Sequence, residues 1–589
     1  VAMSAITGSK PSESASLAGL DASPASTPTD KAILLRGETV ADIDERHENS
    51  SVRLVSQAKQ LGNPDSRIQI VNWKDIDLLI NYADSYQGIC TGDYPHFGRC
   101  YWELPSFAYG WKLQQSTVSE TSPFGGLRYV FLWKDPDNRF KEFLDARLGI
   151  ENHGSWVRGL EAWGSRGVTI SQTGNLYASI YAHEAFDNNA AVIIPKKKIW
   201  GPAIWAYCAS NDYARNVREI DQSLKVTNQT LLKVPFDLEH WQKVADEKYP
   251  NGLPEPESDD PTQWLFHGHP ANAEPATVLQ VAIARLLGYR WPPELDPEMR
   301  LSDEARKWVK DCEALNDLTD EDGIVCIPAV RGEQPAGNRL IEFLTRALKD
   351  TWSGGTLDSL LEASDFGGKT IEKWLRDAFF KQHLKLFHKR PFIWQIWDGR
   401  PDGFSALVNY HKLDRKLLEN LTYNYLGDWI AAQKADLDND VAGAEARLIA
   451  AEELQKKLKK ISDGEAPYDI FVRWKPLEEQ PIGWEPELND GVRINIRPFV
   501  EADVLRAKTG IKWGKDRGKE PESLRPKSKF PWFRGCKGND DEEERTDYTS
   551  ERARGREFDG DRWNDLHYTR EVKEAERAAA KEREEQDSS

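Results

Sequence analysis

Cysteine is scarce and scattered. Six residues, Cys90, Cys100, Cys208, Cys312, Cys326 and Cys536, are spread over 589 positions with no CxxC pair and no histidines at zinc spacing. That excludes a disulfide framework and a metal ribbon, and it fits a reducing, cytoplasmic setting. Long apolar runs are also missing, since nothing approaches the roughly 20 residues that span a bilayer. The opening "VAMSAITGSKPSESASLAGLDASPASTPTD" has no basic segment followed by an apolar one, so a protein without membrane span or secretion signal is expected. Three catalytic signatures are absent: GxxxxGK[ST], HExxH and GxSxG. "PFGGLRY" has a glycine pair but not the spaced glycines of a nucleotide-binding turn, and reads as a turn. Positive charge is in deficit: 78 Lys and Arg against 96 Asp and Glu give −18. A uniformly basic phosphate binder is thereby excluded, though a local basic groove is not. The acids concentrate in "ESDDPTQ", "LNDLTDED" and "NDDEEERTD", which read as loops and a tail.

What is present is length and aromatic content. A chain of this size divides into about three or four units, and its 22 tryptophans supply substantial cores or stacking surfaces. The pattern predicts an α+β protein. Residues 1–50, rich in Ser, Ala, Thr and Pro, read as a flexible lead-in; the initial Val fits an alternative start or a piece of something longer. Residues 51–250 read as a mixed α/β domain, with strands in "SRIQIVNW", "LRYVFLW", "GVTISQT", "LYASIYAHEAF" and "AAVIIP", then a helix in "IWAYCASNDYARNVREI". After the linker "YPNGLPEPESDDPTQ", residues 251–385 are mainly helical by periodicity. Residues 386–515 hold an aromatic strand-turn-helix, a helical hairpin and a C-terminal α/β part. Residues 516–589 form a charged, largely flexible tail in which Trp563 could anchor a short piece.

Within 386–515, "KRPFIWQIWDGRPDGFSALVNYHKLD" alternates Phe392, Trp394 and Ile396 as a half-buried strand does. Asp398 to Gly403 carry turn chemistry, and a helix is expected from Ser405. Trp394 and Trp397 read as packing groups. The hairpin in "RKLLENLTYNYLGDWIAAQ" and "GAEARLIAAEELQKKLKKISDGE" reads as a spacer or packing element, with a partner-binding coiled coil as the alternative.

Three polar stretches carry candidate binding residues. "YQGICTGDYPHFGRCYWEL" sets Asp93, His96, Arg99 and Trp102 beside a turn from Gly88 to Gly92, which could offer backbone N–H groups and Arg99 to a phosphate or base edge, or be a tight turn capped by Asp93. "WGSRGVTISQTGNLYASIY" places Arg166, Ser171, Gln172 and Asn175 near strand ends, side-chain types that reach base edges. "IIPKKKIWGPAIW" sets Lys196, Lys197 and Lys198 after a strand, and "LKVTNQTLLKVPF" sets Lys225 and Asn228 before an apolar run. The plain reading of the lysines is a solvated charge run.

In this order, "YADSYQGICTGDYPHFGRCYWE", "RGVTISQTGNLYAS", "AAVIIPKKKIWGPAIWAYCASN" and "KVTNQTLLKVPF" resemble the target-recognition region of large adenine-specific DNA methyltransferases of phage-defence systems. The resemblance is to the PglX-type enzymes of BREX, the DISARM methylase and fused type II restriction-methylation enzymes. "KRPFIWQIWDGRPDGFSALVNYHKLD", "IKWGKDRGKE" and "GDRWNDLH" resemble the C-terminal region of the same group, so the likeness runs from about residue 75 to residue 570. It implies N6-methylation of a flipped adenine from S-adenosylmethionine. It also implies an Asn-Pro-Pro-aromatic tetrapeptide, and none occurs; Pro292-Pro293, between Trp291 and Glu294, reads as a helix-ending turn. The expectation is therefore a recognition half of a restriction-modification or defence enzyme, binding no cofactor itself. S-adenosylmethionine would belong to a catalytic subunit or a missing N-terminal half. Expected partners are double-stranded DNA and that methyltransferase subunit or other defence-system proteins. The resemblance adds Arg400, His411 and Lys412 as candidate backbone contacts beside Arg99 and the strand-end residues. Two alternatives stand: a non-enzymatic interaction scaffold of the same assembly, and an enzyme built from Asp93, His96 and Glu103.

Overall fold

The computed structural model describes residues 14–20, 52–58, 77–108, 110–134, 138–182, 184–254, 259–464 and 491–511, with isolated positions after 574. The expected strand in "SRIQIVNW" and most of the charged tail lie outside these residues. The architecture is α+β, as the sequence pattern predicts. Two compact units divide the chain: Val1–Cys90 with Gln114–Leu127 and Glu151–Pro256, and Thr91–Leu113 with Arg128–Ile150 and Glu257–Ser589.

The first unit is built on a four-stranded antiparallel sheet of β1 (Ala83–Gln87), β2 (Arg166–Ser171), β3 (Ala178–Ala182) and β4 (Ala190–Pro195), ordered β1-β4-β2-β3. Alternation decides what each face does. Val168, Ile170, Ala178, Ala191 and Ile193 pack with Trp205 and Tyr207 of helix α1 (Gly201–Cys208), while Val192 and Tyr181 join Ala162 and Phe186 in a smaller cluster. Both sheet edges are covered. Asn228 bonds the Ser85 carbonyl on one side, and Ser122 and Ile180 exchange backbone bonds with Ala178 and Pro123 on the other. The helix expected in "IWAYCASNDYARNVREI" is in fact two, because Ser210 stops α1 and its hydroxyl caps α2 (Asn211–Ile220) through the Tyr213 N–H. Within the lead-in expected to be flexible, Ser16–Leu20 pairs antiparallel with Val52–Ser56. Backbone pairing needs no large side chains, which is why a Ser- and Ala-rich composition concealed it.

In the second unit, β5 (Ile324–Cys326), β6 (Ile393–Trp397) and β7 (Ser405–Asn409) form a sheet ordered β5-β7-β6. The helix expected from Ser405 is therefore a strand, buried at every position. The Asp398 carboxylate accepts the N–H groups of Arg400 and Phe404 at 3.0 and 2.7 Å and folds the chain back on itself. A Cβ at Gly403 would meet that carboxylate at 2.3 Å and would have to displace it from the turn. Ladder bonds to both neighbours then override the local helical preference of Ser-Ala-Leu. The expected half-burial of β6 is also corrected. Its outer edge is bonded by Val504 and Arg506, Gln395 turns inward to the Leu375 carbonyl, and only Trp397 stays half-buried beneath the Arg506 guanidinium. Pro292-Pro293 opens a helical turn rather than ending one, since proline's missing N–H costs nothing at the first helical position. The helical hairpin forms as α3 (Leu426–Asp438) and α4 (Ala444–Asp463). Leu454, Leu458 and Ile461 bury into the same core as the sheet. That core also takes in helices on both sides of residue 385, including Val278–Leu286 and Ala336–Leu348.

Candidate nucleic-acid interface

Strand register sorts the candidates of the first unit onto two ends of one sheet. Ala190 lies opposite Ser171 and Ile193 opposite Val168, so Pro195 and Arg166 share the far end. Six residues of strand put the two ends about 20 Å apart.

The near end is rich in amides, and most of its donors are turned inward. Gln172 is buried; its side-chain N–H donates to the Val226 carbonyl at 2.9 Å, and Val226 N–H returns a bond to the Gln172 carbonyl at 2.9 Å. Lys225 Nζ donates to the Asn188 carbonyl at 2.5 Å. Ser171, also buried, accepts the Val118 N–H at 3.1 Å, and Asn175 donates to the Tyr177 hydroxyl at 2.7 Å. Arg218, which sequence pattern did not single out, fastens two loops by donating to the carbonyls of Ser223 and Gly174 at 2.6 Å each. These residues set loop shape.

The far end is cationic and open. Arg166, Lys196, Lys197 and Lys198 are all exposed there. Lys196 is braced by the Ile80 carbonyl at 2.7 Å, with Asp84 at 3.9 Å. The Lys197 ammonium lies 4.7 Å from the centre of the Trp200 ring, which packs edge-on against Tyr82. Between the lysines and Trp200 stands Ile199, 73% exposed. Sequence pattern passed over it; its signal is an isoleucine placed between a lysine triplet and a helix start.

The second unit uses its candidates internally. Arg99 is buried, donating to the Gly98 carbonyl at 2.7 Å with its guanidinium 5.6 Å from the centre of the Trp111 ring. Arg400 pairs with Asp402 at 3.0 Å. Lys412 Nζ caps the carbonyls of Asp320 and Glu321 at 3.0 and 2.9 Å, and partial burial lowers its pKa. His411 donates to the Trp102 carbonyl at 2.9 Å. Glu103 is fully buried and held by Arg390 at 2.9 Å and by the Cys100 N–H at 2.8 Å. The His96 side chain lies outside the described residues. Burial pushes the Cys100 and Cys312 thiols up to about 12, so both stay neutral packing groups. A cavity of about 280 Å³ is lined by Asp260, Glu294, Glu304, His267 and Trp308 with no lysine or arginine, and such a lining repels phosphate. Among the described residues, no three His, Cys, Asp or Glu side chains group as a metal site. No described helix is long and apolar enough to cross a membrane.

No protein-family model matches the chain. Its similarity is to adenine-specific methyltransferases, over part of its length. A stretch of 150 residues, 24% of the chain, is 29% identical to the adenine-specific methyltransferase BrxX of Escherichia coli O9:H4 (strain HS) and covers 12% of that protein. A stretch of 70 residues, 12% of the chain, is 39% identical to the adenine-specific methyltransferase PglX of Lacticaseibacillus casei (strain Zhang) and covers 6% of it. The matched stretches thus span about an eighth or less of either relative's length.

Proposed function

We propose that this chain is the DNA sequence-recognition part of an adenine-specific (N6) DNA methyltransferase of a phage-defence or restriction-modification system, and that it docks duplex DNA through the cationic end of its first sheet. The partial similarity to two adenine-specific methyltransferases carries the reading. Its electrostatic support is the gathering of Arg166, Lys196, Lys197 and Lys198 at one sheet end of a chain whose net charge is −18. Methyl transfer is assigned to another polypeptide or domain that uses S-adenosylmethionine. In this chain the crossing from β4 to α1 carries Pro195 and three lysines rather than the spaced glycines of a cofactor turn.

Four phosphate contacts give a log–log salt slope of about −3.6, a loss of roughly a hundredfold in duplex affinity between 50 and 200 mM salt. Titration of a labelled duplex over that range tests it. Binding that ignores salt overturns the reading, and capture of partner proteins without DNA favours a scaffold. Methylome sequencing with and without the chain gives the cellular counterpart: loss of a motif-specific N6-methyladenine pattern is expected.

A further inference from the structure

Ile199 combines features that ordinary surface isoleucines do not. It is 73% exposed, yet the residues on both sides of it are hydrogen-bonded. Lys196 N–H bonds the Tyr82 carbonyl at 2.8 Å and Trp200 N–H bonds the Lys197 carbonyl at 3.0 Å. Trp200 is wedged against Tyr82 with ring centres 5.1 Å apart, and α1 begins at the next residue, Gly201. The tip is braced on both sides, with a β-branched apolar side chain exposed on it and exposed lysines at its base. A single exposed apolar residue on a mobile loop needs no explanation, whereas a pre-ordered apolar point set among cations matches the chemistry of a stacked, polyanionic duplex. Proteins that bend DNA press such side chains between base pairs, and lysines beside them hold the flanking phosphates.

We propose that Ile199 is an apolar wedge that enters a base-pair step of duplex DNA, with Lys197 and Lys198 on the adjoining phosphates. This rests on the DNA-recognition reading and extends it from electrostatic docking to deformation of the duplex. No covalent step is involved. The cost of unstacking is lowest at pyrimidine–purine steps, so the wedge would favour such steps without hydrogen-bonding their edges.

The test uses the full chain and short duplexes carrying 2-aminopurine at successive positions, with fluorophores at both ends. Wild type is expected to raise 2-aminopurine emission at one step and shorten the end-to-end distance. Ile199→Ala is expected to lose both signals and about tenfold in affinity while keeping the salt slope, and Ile199→Leu to restore them. Leu224→Ala serves as the control, because Leu224 is 84% exposed and sits in the Arg218-clamped loop at the opposite sheet end; it is expected to behave as wild type. Salt-sensitive binding with unchanged 2-aminopurine emission overturns the wedge and leaves the recognition reading intact. An Ile199→Ala protein indistinguishable from wild type does the same. Absence of any duplex binding overturns both. Binding to vesicles of anionic lipid that needs Ile199, with no binding to DNA, replaces the wedge with a membrane-surface contact.

Discussion

The two units place their candidate cations differently. In the first, three lysines and an arginine stand exposed at one sheet end, where Lys196 lies 3.9 Å from Asp84. In the second, Lys381, Lys385, Lys456 and Lys459 are exposed as well, but the candidate arginines and several others are used inside the fold. Arg285 is fully buried against Glu294 at 2.5 Å and also bonds the Cys312 carbonyl at 2.9 Å, while Arg390 holds the buried Glu103. Even histidine is enclosed: burial keeps the His383 imidazole neutral by lowering its pKa to about 3. Its Nε2 accepts the Ile393 N–H, leaving Nδ1–H to donate to Gln280 Oε1 at 3.0 Å. The lesson is that residue type alone says nothing about availability. A cation is a binding group only where the fold leaves its head in water.

The contrast can be broken at both ends. The largest effect is expected at Arg285: Arg285→Ala strands the Glu294 carboxylate in the interior and should cost about 3–5 kcal/mol in chemical denaturation. The double variant Arg285→Met, Glu294→Leu should recover most of that, because it removes both buried charges together. Next comes His383. The unfolded chain takes up the proton near the ordinary 6.5, the folded chain only near 3. The stability this neutral histidine contributes is therefore complete above pH 6.5 and drains away as pH falls from 6.5 toward 3, by at most about 1.4 kcal/mol per pH unit. His383→Gln should flatten the fall in melting temperature between pH 7 and pH 5 relative to wild type. An equal fall in both proteins would contradict the buried, neutral assignment. The smallest stability effect belongs to the first unit. Lys197→Ala with Lys198→Ala should change unfolding free energy by no more than about 0.5 kcal/mol. It should nevertheless flatten the DNA salt slope by about 1.8. A large stability loss there would mean the exposed lysines are structural after all.

Much of the fold was legible because it rests on short-range pattern. The alternation in "GVTIS" and "AAVIIP" and the helical hairpin are local signals, and they fall where periodicity puts them. Ser405–Asn409 was illegible because its strand state depends on one neighbour distant in sequence, Ile324–Cys326, and on a hairpin with Ile393–Trp397 closed by Asp398. The site divides the same way. The lysine triplet reads as exposed and is exposed, but nothing in "SQTGN" says that Gln172 spends its amide on Val226. Nor does the run "NYHKLD" disclose that Lys412 caps the carbonyls of Asp320 and Glu321.

By itself the amino-acid order determined the α+β composition, the runs of apolar alternation and the scarcity of chemistry-bearing cysteines, because each depends on residues a few positions apart. Only the tertiary structure decided which cations face water, which sheet end is open and which apolar side chain is left standing among lysines. Burial and register are set by segments from about twenty to more than a hundred residues away, and no local window contains them.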